Sequence, residues 1–245
     1  MLFRKLLLPL HRRLERDTNY IIKQQINKIM NNIWFTSDTH FSHRNVLKHC
    51  KGRLKAFGID ETLDDREKVI LNDEAIIKRW NSKVKKKDIV YIIGDFSFAS
   101  VEQTKKILGK LNGIKFLITG NHDKSSEHLR GYFENISQIK DINFKQRNFD
   151  FLEEDFSIVC CHYPMVTWNR KHYGSVNVHG HCHGNIDDFN EASDDLRVDV
   201  GIDGKLANYD LIDLETLYRY FKGKANGKLF SEYVLEKRKD NSIVI

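Results

Sequence analysis

Gly120-Asn121-His122-Asp123 follows directly on the apolar run Phe116-Leu117-Ile118-Thr119. A short apolar run closed by glycine reads as a buried strand ending in a sharp loop, which delivers the polar side chains to one rim of a sheet. In open α/β sheets that rim is where ligands bind. The tetrapeptide offers a metal ligand, a proton donor and an orienting carboxylate. Alone it also reads as an ordinary Gly-Asn turn followed by a polar surface pair, so the weight falls on whether the rest of the chain repeats it.

It does. Ile33-Trp34-Phe35-Thr36 runs into Ser37-Asp38-Thr39-His40, and Ile89 to Ile93 runs into Gly94-Asp95. Further on, Ser157 to Cys161 reaches His162, and Val176-Asn177-Val178 reaches His179-Gly180-His181-Cys182-His183. The chain has 11 histidines, and their clustering at successive strand ends is not what surface composition alone produces. Imidazole, carboxylate and amide oxygen together suit divalent transition metals such as Mn, Fe, Ni or Zn. More than four ligands implies two ions, and a central carboxylate such as Asp95 is placed to bridge them.

The elements that must hold these groups follow from periodicity. Strands are expected at 33–36, 89–93 and 115–119, with helices at about 63–80 and 102–111 between them, which favours an α/β sheet built of sequential βα units. After Asp123 the pattern shifts to shorter, more alternating strands, at about 138–144, 150–152, 156–161, 175–179 and 196–201, with a last strand at 228–235. Asp187 to Asp195 reads as a solvated acidic loop. From Pro9 to about Met30 the apolar residues Leu10, Leu14, Ile21, Ile22, Ile26 and Ile29 recur mostly at three- or four-residue steps among basic ones, an amphipathic helix. Residues 1–31 are therefore set apart as a basic helical extension, and 32–245 as the catalytic domain.

Composition narrows the class. With 40% hydrophobic and 30% charged residues the chain is that of a soluble globular protein. No apolar run approaches the roughly 20 residues of a membrane span. The four cysteines lack paired spacing, fitting a reduced, cytoplasmic setting and no cysteine-bound structural zinc. Seven basic residues against two acidic ones in positions 1–28 account for most of the net charge of +6, so the remaining domain is close to neutral. That argues against a protein built to coat nucleic acid. The basic helix suits packing on the domain or on a second copy, or contact with an acidic partner, nucleic acid or membrane surface.

In their order, Asp38-Thr39-His40, Gly94-Asp95, Gly120 to Asp123, an isolated His162, and Gly180-His181-Cys182-His183 resemble the motifs of the calcineurin-like metallophosphoesterase superfamily, most of all its small bacterial and phage members. The resemblance covers about Ile33 to Gly184. It implies an α/β sandwich of two facing mixed sheets flanked by helices, and two divalent ions, with Mn the first choice in vitro. It assigns Asp38, His40, Asp95 and His183 to one metal and Asp95, Asn121, His162 and His181 to the other. It also implies in-line attack of a metal-bridging hydroxide on a phosphate ester, with His122 assisting the departing oxygen. Asp123 orients His122 or caps the following turn, and is grouped with it as catalytic.

Weaker assignments surround that set. His43, Arg44 and Asn45 follow the first motif closely enough to meet a substrate phosphate. His179 is expected to pack or hydrogen-bond without binding metal, Cys182 to point away from the metals, and Asp199 and Asp203 to be loop carboxylates with no metal role. The leading functional expectation is a phosphodiesterase. A nuclease, a nucleotide pyrophosphatase or a phosphomonoesterase on the same site is the alternative, with a nucleotide among the possible substrates. A non-catalytic metal-binding scaffold stands as the remote one.

Overall fold

The computed structural model describes residues 32–239; the basic helix expected at 9–30 lies outside them. In chain order the elements are β1 (Ile33–Thr36), α1 (Val46–His49), α2 (Gly52–Phe57), α3 (Asp65–Lys83), β2 (Ile89–Ile92), α4 (Val101–Lys110), β3 (Ile114–Ile118), β4 (Asn135–Ser137), β5 (Ile139–Phe144), β6 (Phe156–Cys161), β7 (Val176–His179), α5 (Asp187–Ala192), β8 (Arg197–Asp199), β9 (Ile212–Asp213), α6 (Leu214–Lys224) and α7 (Phe230–Lys239).

Two sheets result. One has strand order β4-β3-β2-β1-β9, parallel except for β9; the other has order β5-β6-β7-β8, parallel except for β5. The strand period of two separates their faces. Phe35, Tyr91, Ile93 and Ile118 point into the space between the sheets, where they join Phe156, Ile158, Val176, Val178 and Val198 in one core. Val90, Ile92 and Leu117 point the other way, onto Ile76 and Trp80 of α3 and Ile107 and Leu108 of α4. This is the expected α/β sandwich with helices outside.

Local signals explain the long helix. Asp64 caps α3 by accepting from the Arg66 and Glu67 amides while Glu67 bonds back to the Asp64 amide, a reciprocal capping box. Three expectations fail here. Residues 228–235 are not a strand, because Phe230, Tyr233 and Val234 repeat at helical spacing and bury one face of α7 in the core. The acidic segment forms α5 from Asp187 to Ala192, with Asp187 and Asn190 buried rather than solvated. Residues 150–152 lie in a turn in which the Leu152 amide bonds the Phe149 carbonyl.

At the carboxyl ends the ladder of β1 and β2 continues through the loops. The amides of Asp38, His40 and Phe41 donate to the carbonyls of Gly94, Asp95 and Phe96. Ser37 also bridges to Gly201, beyond β8, so the loop after β1 reaches the second sheet. Gly180 must be glycine for this meeting: a Cβ there would lie 1.9 Å from Ser37 Oγ and 2.4 Å from Asp38 Oδ2.

Candidate metal centre

The strand ends converge. Asp38, His40 and His183 offer donor atoms within 4.8 Å of one another, as do Asp95, His162 and His181. Asp95 Oδ2 lies 3.6 Å from His40 Nε2, 3.5 Å from His162 Nε2 and 3.9 Å from His122 Nε2. Asp38 Oδ1 lies 3.7 Å from His40 Nε2 and 3.8 Å from His183 Nε2. Asn121 Oδ1 is 3.2 Å from His162 Nε2. The structure thus gathers all seven residues expected as ligands into one cluster spanning both sheets.

Spacings of 3.5–3.9 Å are too long for hydrogen bonds between these groups. Asp38 Oδ1 and both ring nitrogens of His40 are buried without a hydrogen-bond partner among the described residues. A buried polar atom left so costs about 1–3 kcal/mol unless something else satisfies it. The backbone carries strain as well: Asp38, His40, Asp95, His181 and His183 hold φ of 54°, 48°, 51°, 72° and 50°. Left-handed conformations at side-chain-bearing residues concentrate where function over-determines the geometry. Hard carboxylate oxygens, imidazole nitrogens and one amide oxygen, converging with their own bonds unmade, fit divalent transition metals.

Other bonds aim the rings. His162 Nδ1 donates to the Ile93 carbonyl at 2.8 Å, and His183 Nδ1 donates to Asp203 Oδ2 at 2.7 Å, so each ring presents Nε2 to the cluster. Burial pushes Asp38 and Asp95 up, but the surrounding imidazoles, joined at Asp95 by the His122 amide, more than reverse it, with Asp95 drawn down to about 2. For His183 burial pulls down, yet the Asp203 bond, Cys50 and Asp38 raise it to about 10. His162 is raised for the same kind of reason, by Asp95 and Asp38 acting against burial. His181, whose ring stands at the solvent edge, is lowered by burial and by His162.

His122 stands at the mouth with 42% of its side chain exposed, its amide donating to Asp95 Oδ1 at 2.9 Å. Asp123 lies beneath. Its carboxylate accepts from the amides of Gly120, Asp95 and Phe96, clasping the loop after β3 to the loop after β2. Of the three residues expected near substrate, His43 reaches the site, stacked on Phe98 at 3.6 Å and 5.3 Å from the His40 ring. Arg44 and Asn45 stand exposed, Asn45 at the start of α1. His179 is buried and bonded to the Gly180 carbonyl and to Asn190. Cys182 is half-buried, its thiol pushed up to about 11 by burial.

Residues 32–204 match the family model for calcineurin-like phosphoesterases. The chain belongs to that family. Relatives include an uncharacterized protein of Methanocaldococcus jannaschii, 27% identical over 80% of this chain and 94% of its own length. Another is the Gene 66 protein of Mycobacterium phage L5, 29% identical over 75% of this chain and 95% of its own. The crystal structure of a protein of unknown function from Aquifex aeolicus shares the fold, with a TM-score of 0.55 at 23% identity over 78% of this chain and 100% of that one. Family membership makes the chain a metal-dependent phosphoesterase acting on phosphate esters. Among the described residues no helix is long and apolar enough to cross a membrane, and the four cysteines are free thiols.

Two residues of this phosphoesterase site escaped the sequence reading. Arg53, fully buried, donates to both oxygens of Asp203 at 2.7 and 2.6 Å and to the carbonyls of Asp38 and Thr39 at 2.7 and 3.0 Å. Nothing in Lys51-Gly52-Arg53-Leu54-Lys55 separates it from a basic surface helix. Asp203, read as a loop carboxylate without a metal role, in fact holds a ligand-cluster ring. Its signal was available: it follows Val200-Gly201-Ile202 and precedes glycine, the same apolar-run-to-carboxylate pattern as Asp38 and Asp95. Asp199 stays outside the cluster, its oxygens taken by the Gly184 and Gly201 amides.

Proposed function

We propose that the chain is a dinuclear phosphodiesterase, with one cation held by Asp38, His40, Asp95 and His183 and the other by Asp95, Asn121, His162 and His181. The observation that carries this reading is the unmade bonding of Asp38 Oδ1 and His40 around an Asp95 oxygen ringed by imidazole nitrogens at 3.5–3.9 Å. Two divalent cations so held would neutralise phosphate oxygens and activate the attacking water.

The chain's own groups do the rest. Asp95 stands between the two ligand sets and would be shared by both cations. Asp203 and the Ile93 carbonyl fix the rings of His183 and His162, and Arg53 ties Asp203 to the backbone under Asp38. His122, half in solvent beside Asp95, is the group free to give a proton to the departing oxygen. Asp123 acts through the backbone, setting the height of His122 relative to Asp95.

The test compares a bis-aryl phosphate with the matching aryl monoester in Mn, with metal content read by mass spectrometry. The diester is expected to react faster, with two metals per chain. His122→Ala should lose about 10²–10⁴-fold in rate while keeping both. A faster monoester, one metal per chain, or an unimpaired variant would each overturn a separate part of the reading.

A further inference from the structure

Beside the ligand cluster opens a cleft of about 620 Å³, a size that takes a small-molecule ligand. Its inner end is formed by His40, His122 and His183, and its outer wall by Lys48, His49 and Lys51. One short stretch supplies that wall. Val46 and Leu47 anchor α1 by burial, which turns Lys48 and His49 outward and brings Lys51 round ahead of α2.

The charge left unpaired in the cleft is positive. Asp203 is the carboxylate lining it, and both its oxygens are already taken by Arg53 and His183. Lys48 has Asp65 at 3.3 Å, but the two side chains are 60% and 49% exposed, so water screens the pair and leaves the ammonium available. Lys51 and His49 have no carboxylate partner among the described residues. The His43 ring also lines the cleft, braced flat against Phe98 with an interplanar angle of 4°. An elongated ligand reaching from the metal ligands to the outer wall therefore passes a fixed aromatic face and ends among cations.

We propose that this cleft is a second-phosphate subsite: the substrate bears, beside the phosphoryl group at the ligand cluster, a further phosphate that Lys48 and Lys51 bind, as in nucleotide-sized diphosphates. The inference rests on the phosphoesterase reading above and names its substrate class. Lysine suits this task as a compact charge with rotatable donors that can follow a phosphate. Two lysines in one cleft, on a domain close to neutral, are too few to track a long polynucleotide backbone.

The experiment is calorimetric titration of the Mn-loaded protein with AMP and with ADP. It uses the full chain, Lys48→Ala/Lys51→Ala, and a control, Lys86→Ala/Lys110→Ala. The control removes the same charge from exposed positions preceding β2 and β3, at the opposite rim. Because metals alone also favour ADP, the comparison between variants decides. ADP is expected to bind the wild type and the control about tenfold or more tighter than AMP, and the Lys48/Lys51 variant should lose most of that advantage. An advantage unchanged in that variant, or absent from the wild type, overturns the subsite. Hydrolysis of a bis-aryl phosphate by the wild type separates the two levels. If it proceeds while the ADP advantage is missing, the subsite alone falls; if it fails and neither nucleotide binds, the phosphoesterase reading falls with it.

Discussion

The two rims of the five-stranded sheet bury polar groups in opposite ways. At the amino rim, among the described residues, the buried side chains of Asp88, Trp80 and Lys115 all find protein partners. Asp88, buried before β2, accepts from the Asn32 amide, the Trp34 indole and the Lys85 amide at 3.1, 3.1 and 2.9 Å. Trp80 donates to the Asn112 carbonyl, Asn112 donates from its amide to Asn81 Oδ1 and from its side chain to the Val84 carbonyl, and Lys115 donates to the carbonyls of Leu111 and Gly113. At the carboxyl rim Asp38 and His40 are as deeply buried, yet Asp38 Oδ1 and both His40 ring nitrogens are unpaired among the described residues, and the two backbones sit in left-handed conformations. Burial alone does not mark a site. A buried polar group whose bonds are complete is architecture, and one whose bonds are left open is kept for something the chain does not itself supply.

The largest effect should come from breaking the carboxyl rim at its centre. Asp95→Asn keeps an oxygen for the His122 amide but removes the charge between the two ligand sets. Activity should fall by more than the roughly 10–100-fold that losing an outer partner of a metal ligand costs, and metal content should fall with it. A variant that keeps its metals and its rate would make the two rims alike.

Asp88→Ala should do the reverse. It leaves up to three donors without their acceptor, at a cost of about 1–3 kcal/mol, which for a chain of this size lowers the melting temperature by about 2–12 °C. The kcat/KM of the surviving folded enzyme should stay within about twofold of wild type. Lost activity at unchanged melting temperature would mean that the amino rim reaches the chemistry.

How much of this was legible in the sequence follows the same division. Carboxyl-rim residues announce themselves because they lie at or just past the end of a run of apolar strand residues, and the seven expected as ligands lie together in one cluster. The parallel strands β1 to β3 were legible for the same reason. Helix α7 was not: Phe230, Tyr233 and Val234 are apolar and aromatic enough to pass for strand until their spacing is counted, and α6 drew no assignment although Leu217, Tyr218 and Phe221 share that spacing. Arg53 was invisible because its role depends on a distant partner, Asp203, brought to it only by the meeting of the two sheets. Supporting residues satisfy bonds set by tertiary geometry, and no local pattern requires their identity.

The smallest effect tests the amino rim where its burial is least comfortable. Lys115 is 8% exposed, and burial draws its ammonium down from near 10.5 to about 8. A base whose folded-state pKa is depressed binds its proton less readily folded than unfolded. The cost to stability is therefore full below about pH 8 and is relieved as the pH rises toward 10.5. Lys115→Met removes the titration. Denaturant unfolding of both proteins at pH 7, 8, 9 and 10 should show the wild type gaining on the variant with rising pH. The gain should be on the order of 1 kcal/mol, since partial solvation screens the ammonium. The direction is informative because the bonds to Leu111 and Gly113 pull the other way: they favour the charged form and are present at every pH. A stability difference that stays flat from pH 7 to 10 would mean that those two carbonyls fully replace water around the ammonium. The amino rim would then be satisfied electrostatically as well as in its hydrogen bonds, and its contrast with the carboxyl rim would be sharper still.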